Sequence, residues 1–366
     1  TLAAGKSGPE LHKVPDIPGN HIQDLQTDAQ GDVLICSDKG LFRYAAQEGR
    51  FYRHPFVFSE QPLQTPEVVM SALETSSGNL WIGTVNQGVL RHAAHPGARI
   101  AKLSLDSPNE GGSPAALSDI IHVAASPDSS IYVAPKGGGI FRSDVPVTAN
   151  RLNHSSQIDL KPFLEGIRIK SMDWALDGAR VCGLENALLR IAPDGATEKI
   201  PVKPDPDADF SDKDVENIVC LDNGDIWFAT KFEIFSWKPG DSAPKMEMGK
   251  SDRGHIGCLH RHGDFVWVGR GQNITVIDTK SGQQSALDLP PAAWSDGATV
   301  KNILVENGGT VWIATTKGVL RFEPQSRALK PILTKARQRI PHALSLWRHA
   351  DGAIWLHTQE KIFRIP

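Results

Sequence analysis

The sequence has no apolar run approaching the roughly 18–20 residues that a membrane helix needs, so no membrane segment is expected in this chain. Cysteine is scarce: Cys36, Cys182, Cys220 and Cys258 are the only four in 366 residues, and none sits in a CxxC or other metal-ligand spacing. They are expected to be unpaired and buried, acting as small apolar side chains. Charge of one sign is not in excess, with 39 Lys and Arg against 42 Asp and Glu and a net charge of −3. Nucleic acid is therefore excluded as the main partner, since phosphate binding needs a basic surplus. No GxSxG, no HExxH and no cysteine with a matched histidine occurs, so no nucleophile or zinc-protease motif is present. The glycine run in "PKGGGIF" (135–141) reads as a hairpin turn and not as a phosphate cradle. No catalytic residue and no cofactor is assigned.

Glycine (33), proline (25) and tryptophan (nine, against three tyrosines) are abundant, and their placement is periodic. One block recurs: an apolar segment, a polar turn with Gly, an apolar strand often holding Trp, a second polar turn, and a further strand often holding Arg. Its clearest copy is "VVMSALETSSGNLWIGTVNQGVLRH" (68–92). Eight copies align on Gly31, Gly78, Ser129, Gly178, Gly224, Asp264, Gly309 and Gly352, at spacings of 40–51 residues. Three positions after that anchor stand Leu34, Trp81, Tyr132, Val181, Trp227, Trp267, Trp312 and Trp355. Large rings in one column are expected to fill the wedge between neighbouring sheets.

Most units add a fourth apolar segment, such as "RIAKLSL" (99–105), "TEKIPV" (197–202), "QSALDLP" (284–290) and "ALKPIL" (328–333). Four short strands every 40–50 residues are the mark of a propeller blade, which has two apolar faces and cannot bury them alone. The expected fold is all-β: one propeller domain over residues 1–366 with eight four-stranded blades, seven being the alternative count. The last unit ends with its third strand, "KIFRIP" (361–366). The segment "ELHKV" (10–14) is expected to supply the missing outer strand and close the ring, leaving 1–9 as a loose tail.

The blocks "ETSSGNLWIGTVNQGVLRH", "NGGTVWIATTKGVLRFEP" and "QGDVLICSDKGLFRY" resemble the two-component regulator propeller repeat. The resemblance extends over residues 10–366, with the fourth and sixth units departing most from the pattern. It implies the periplasmic or secreted sensing part of a bacterial signalling protein, one that takes a saccharide or other small polar ligand or pairs with another chain, a second copy included. In that family a β-sandwich module, a membrane helix and a kinase commonly follow the propeller, so the chain reads as a fragment or as a free-standing relative. "NALLRIAPDGATEKIPV" and "GDIWFATKFEIFSW" bear a weaker likeness to streptogramin B lyases, propellers that use a His base and carboxylates holding Mg²⁺. No His with two carboxylates repeats that site in this sequence. Gly-His and Trp-Asp pairs do not recur, which sets WD40 repeats apart.

A ligand is expected over the channel, on the face made by the loops that lead into each inner strand and those joining second to third strands. The second set offers Lys39, Asn86, Lys136, Asn186, Lys231, Arg270 and Lys317, with Gln87, Gln272 and Asn273 as further amides, a basic and amide-rich ring suited to an anionic or hydroxyl-rich molecule. The first set offers His21, His255 and His342; His255 falls in a column that is apolar elsewhere (Ile22, Val69, Val300). It is expected either to face the channel or to be a buried, hydrogen-bonded imidazole. His260-Arg261-His262 are placed in the first turn of the sixth unit, as solvated residues. In "DPDADFSDKDVE", Asp205, Asp207, Asp209 and Glu216 fall at positions 1, 3, 5 and 12 of a calcium loop. Phe210 stands where that loop needs Gly, so an acidic linker is the expected reading and Ca²⁺ or Mg²⁺ the weaker one.

Overall fold

The structure, a computed structural model, describes residues 10–12, 21–54 apart from 29 and 46, 68–92 apart from 76 and 77, and 100–102. It further describes 120–143 apart from 126–129 and 136–138, 160–202 apart from 165 and 166, and 214–289 apart from 252, 253 and 288. The remainder are 297–333, 340–358 apart from 341 and 349–351, and 362–365. The expected tail over 1–9 lies outside these residues. Every regular element among them is a β-strand, and the strands form eight four-stranded antiparallel sheets, one for each repeat.

Two compact units are distinguished, Val14–Ile169 and Lys170–Pro366 with Thr1–Lys13. The first holds three sheets. Blade one comprises Ile22–Thr27, Val33–Ser37, Gly40–Ala45 and Arg50–Arg53. Blade two comprises Val69–Glu74, Leu80–Thr84, Val89–His92 and Ile100–Lys102. Blade three comprises Ile120–Ala125, Ile131–Pro135, Ile140–Ser143 and Leu160–Leu164.

The other unit holds five. Blade four runs through Ser171–Trp174, Arg180–Leu184, Ala187–Ile191 and Thr197–Pro201, and blade five through Asn217–Cys220, Ile226–Ala229, Ile234–Trp237 and Lys245–Met248. Blade six has Ile256–His262, Phe265–Arg270, Asn273–Asp278 and Gln284–Ala286; blade seven has Val300–Val305, Val311–Thr315, Gly318–Glu323 and Ala328–Ile332. Blade eight has Ser345–Arg348, Ile354–His357 and Ile362–Ile365, and its outermost strand is Glu10–His12. That strand pairs antiparallel with the third, Glu10 opposite Arg364 and His12 opposite Ile362, as the sequence led us to expect.

Burial explains the pattern. The second strands of blades one, two, three, four, five and seven are buried at every position. A strand covered on both faces cannot alternate polar and apolar residues, so it reads as an unbroken apolar run. Outer strands such as Arg50–Arg53 and Thr197–Pro201 are mostly exposed. The Trp column lies between sheets. Trp81 of blade two packs with Ile131, Val133 and Leu160 of blade three. Trp227 of blade five packs with Ile256, Val266 and Val268 of blade six, and Trp312 of blade seven with Leu346, Ile354 and Leu356 of blade eight. The Arg of the third strand is the cross-strand partner of the ring: Arg142 lies 5.5 Å over Tyr132 and Arg321 5.5 Å over Trp312. All four cysteines are free and buried. Burial pushes the thiols of Cys182 and Cys258 up to about 12.

The anchor glycines earn their place through backbone conformation. Gly31, Gly78, Gly178, Gly224, Gly309 and Gly352 all have φ between 77° and 88°, where a side chain is strained. In the sixth unit the left-handed residue is Gly263 (φ 57°) and not Asp264, because a two-residue hairpin joins His262 to Phe265. That turn is one residue shorter than its relatives, which corrects the sequence register of the strand before it. Ile256 faces Arg270 as Ile22 faces Ser37 and Val300 faces Thr315, so Ile256 fills the apolar column and His255 precedes the strand.

Truncating Trp312 to Ala removes a ring that is 5% exposed. Chemical denaturation of W312A is expected to show a loss of about 3–5 kcal/mol, whereas an exposed column residue would cost little.

Candidate functional site

The second-to-third-strand loops are shaped by a hydroxyl at the end of the second strand. Ser37 Oγ, Thr84 Oγ1 and Thr315 Oγ1 are buried and donate to the carbonyls of Gly40, Gly88 and Gly318. Each also accepts a backbone N–H from the loop, from Lys39, Gln87 and Lys317 respectively. Thr230 Oγ1 likewise accepts from Glu233 N. The hydroxyl satisfies backbone groups that the tight turn leaves over, and so aims the loop side chains outward. The signal was present in "CSDKGL", "GTVNQGV", "ATKFEI" and "ATTKGV", but it reads as ordinary strand-end chemistry until the bonds are seen.

Lys39, Asn86 and Lys317 are exposed on their loops. Asn186 is half-buried with φ 60°, and its carbonyl accepts from Val202 N. His21 is exposed and its carbonyl accepts from Asp38 N; His342 is exposed with φ 51°, its N–H on Thr316 O. Lys136, Asp205, Asp207 and Asp209 lie outside the described residues, and Glu216 is exposed with its N–H on Ala229 O. Among the described residues no group of three or more His, Cys, Asp or Glu side chains could hold a metal ion.

Three of the expected residues come together at the junction of blades five and six. Arg270 is 4% exposed, and its guanidinium is turned inward. Its Nη1 donates to Gly249 O (3.0 Å) and Ser251 Oγ (2.9 Å), and its Nη2 to Phe232 O (2.6 Å). One cation thus ties the loop of blade five and the connector between the blades to the end of the second strand of blade six, a geometry suited to the planar guanidinium fork. Lys231 is half-buried, with Nζ 5.7 Å from the Phe232 ring centroid. His255 is exposed and meets the same ring edge-on, 4.8 Å between centroids, so it is neither a buried imidazole nor an apolar-column residue. Lys250 Nζ stands 5.8 Å from that ring. Phe232 was legible only as a loop residue, and Lys250 and Ser251 lie in a connector whose sequence does not repeat.

Beside this junction lies a cavity of about 480 Å³. Ser251, Arg270, Asn273, Thr275, Gln284 and Ser285 supply its polar lining, and Met248 and Ala286 part of its apolar wall. It sits between the outer strand of blade five and the two outer strands of blade six, not at the inner strands where a channel site was expected. Gln284 Nε2 donates to Glu247 O and so bridges the two outer strands. Of the earlier candidates Arg270 and Asn273 line it.

The His260-Arg261-His262 stretch also differs from expectation. It belongs to the inner strand of blade six. His260 is half-buried, and its Nε2 accepts from Val305 N of blade seven at 3.3 Å. Burial lowers its pKa to about 4, with His262 and Arg261 adding repulsion. Arg261 reaches the other way, donating to Asp222 Oδ1 (2.9 Å) of blade five.

No protein-family profile matches the chain, and no curated protein matches it in sequence. Solved structures do match in fold. The extracellular domain assigned to a one-component system, BT4673 of B. thetaiotaomicron, aligns with a TM-score of 0.53 at 16% identity, over 98% of this chain and 40% of that one. A streptogramin B lyase aligns at 0.54 and 14% identity, over 98% of each chain. YCF48 bound to D1 peptide aligns at 0.56 and 12% identity, over 100% of this chain and 98% of that one. The chain thus spans two fifths of the length of the first of these. At such identities the likeness establishes the fold class alone, an all-β propeller. No described helix is long and apolar enough to cross a membrane.

His260 yields a pH test. Its folded-state pKa is lowered from 6.5 to about 4, so the unfolded chain takes up the proton first as pH falls. Stability should decline as pH drops from about 6.5 to about 4. His260→Gln, which keeps an acceptor for Val305 N, should flatten that part of the profile in thermal melts; an unchanged slope would show the imidazole to be proton-accessible in the fold.

Proposed function

We propose that the eight blades serve as one recognition propeller without catalytic chemistry. In this reading the chain is the extracytoplasmic sensing part of a bacterial two-component-type signalling protein, and it binds a small polar or saccharide ligand. The observation that carries the reading is the cavity between blades five and six. It combines hydroxyl and amide groups (Ser251, Thr275, Gln284, Asn273) with an apolar wall (Met248, Ala286), on a frame fixed by Arg270. Hydroxyl-rich molecules are held by convergent donors and acceptors on rigid elements, with an apolar surface against their C–H face. The repeat resemblance and the fold of the one-component-system domain support the same role, and the peptide bound by YCF48 keeps a protein partner as the alternative occupant.

The test uses D-glucose and maltose as probes in saturation-transfer NMR. Wild-type protein is expected to show transfer to both sugars. Asn273→Leu, which replaces an exposed amide of the cavity lining with an apolar group, should weaken both about three- to tenfold, the worth of a hydrogen bond. Absence of transfer from the wild-type protein to either sugar, or equal binding by the variant, would sink the reading.

A further inference from the structure

Among the described residues that line the cavity between blades five and six, none is Asp, Glu, Lys or His, and Arg270 is the one charged side chain. Its guanidinium is committed to the protein: Nη1 donates to Gly249 O and Ser251 Oγ, and Nη2 to Phe232 O. An anion entering the cavity would have to break these bonds to gain others. A cation meets the same guanidinium with no carboxylate in the lining to offset it. The acid on the adjoining outer strand, Glu247, is turned elsewhere. Its Oε1 accepts from Ser236 Oγ (2.7 Å) and its Oε2 from Lys245 Nζ (3.1 Å), and it is the backbone carbonyl of Glu247 that meets Gln284. The rest of the polar lining is neutral and two-sided. Asn273 and Gln284 each bring an amide that donates and accepts, and Thr275 and Ser285 each a hydroxyl that does both. Such a set matches hydroxyl groups, which likewise donate and accept, and gives a desolvated charge no partner.

From this composition we propose that the cavity selects uncharged sugars: a neutral hexose unit is accepted, and its acidic and amino counterparts are both disfavoured. The proposal rests on the saccharide reading above and adds the charge of the ligand to it. A ligand charge placed here gives up water on the cavity side and gains no opposite charge in return, which is the costly case. Gln284 and Ser285 are exposed, so solvent screens part of that cost and the discrimination is severalfold and not absolute.

The experiment titrates the full chain with D-glucose, D-glucuronate and D-glucosamine by calorimetry at about pH 6, where the second sugar carries a carboxylate and the third an ammonium. Glucose is expected to bind about three- to tenfold more tightly than either charged sugar. Asn273→Asp keeps the shape of the side chain and adds the missing carboxylate. In that variant glucosamine should overtake glucose, and glucuronate should weaken further. Ser285→Asp brings the same charge from the exposed outer strand and should give the same reversal, which keeps the test open if Asn273→Asp lowers the thermal midpoint. Wild-type protein that binds glucuronate or glucosamine at least as tightly as glucose overturns the proposal and leaves the saccharide reading standing. So does a failure of both Asp variants to favour glucosamine, because the charge of the lining would then not be what selects. Failure of all three sugars to bind overturns the saccharide reading itself.

Discussion

Burial of the second strand on both faces, complete in six of the eight sheets, is the constraint from which the rest follows. Such a strand is stable only when neighbouring sheets cover it from either side. Trp81, Trp227 and Trp312 supply that cover, each from one blade to the next within its unit. Because sheets packed this way are held by large rigid side chains, the loops at their edges inherit fixed positions. That is why polar groups from segments far apart in sequence, such as Phe232 O, Ser251 Oγ and the Arg270 guanidinium, meet at one place. Arg270 shows how such loops are held together: its guanidinium uses two nitrogens on three oxygens from two other segments.

The fold was legible because its determinants are local and repeated. Glycine at a left-handed turn, a large ring three residues on, and an arginine opposite that ring each recur. Even the pairing of the two distant chain segments was readable, since one sheet had three strands and one strand had no sheet. The exception is instructive. In the sixth unit an aspartate occupied the anchor position, and the missing residue of the turn moved the register by one. Side chains alternate across a strand, so a slip of one exchanges a core position for an exposed one. That exchange put His255 in a column that belongs to Ile256.

The candidate site was less legible for a different reason. Its loops could be found, but which of them share a neighbourhood depends on geometry that no periodicity encodes. Lys250 and Ser251 lie in a connector, and Gln284 and Ser285 in an outer strand, the segments that vary most from unit to unit. Outer strands are mostly solvent-facing, so packing places little demand on their composition. The same freedom lets them carry chemistry specific to one blade.

The eighth sheet is assembled from residues near both ends of the described chain, Glu10–His12 beside Ile362–Ile365. During synthesis the early segment must therefore wait, unpaired, until the last strand has left the ribosome. From its emergence until the two segments meet, the third strand's edge and the waiting segment are both open to pairing with other chains. The connectivity carries its own hazard: an exchange of early segments between two molecules satisfies the same pairing as closure within one.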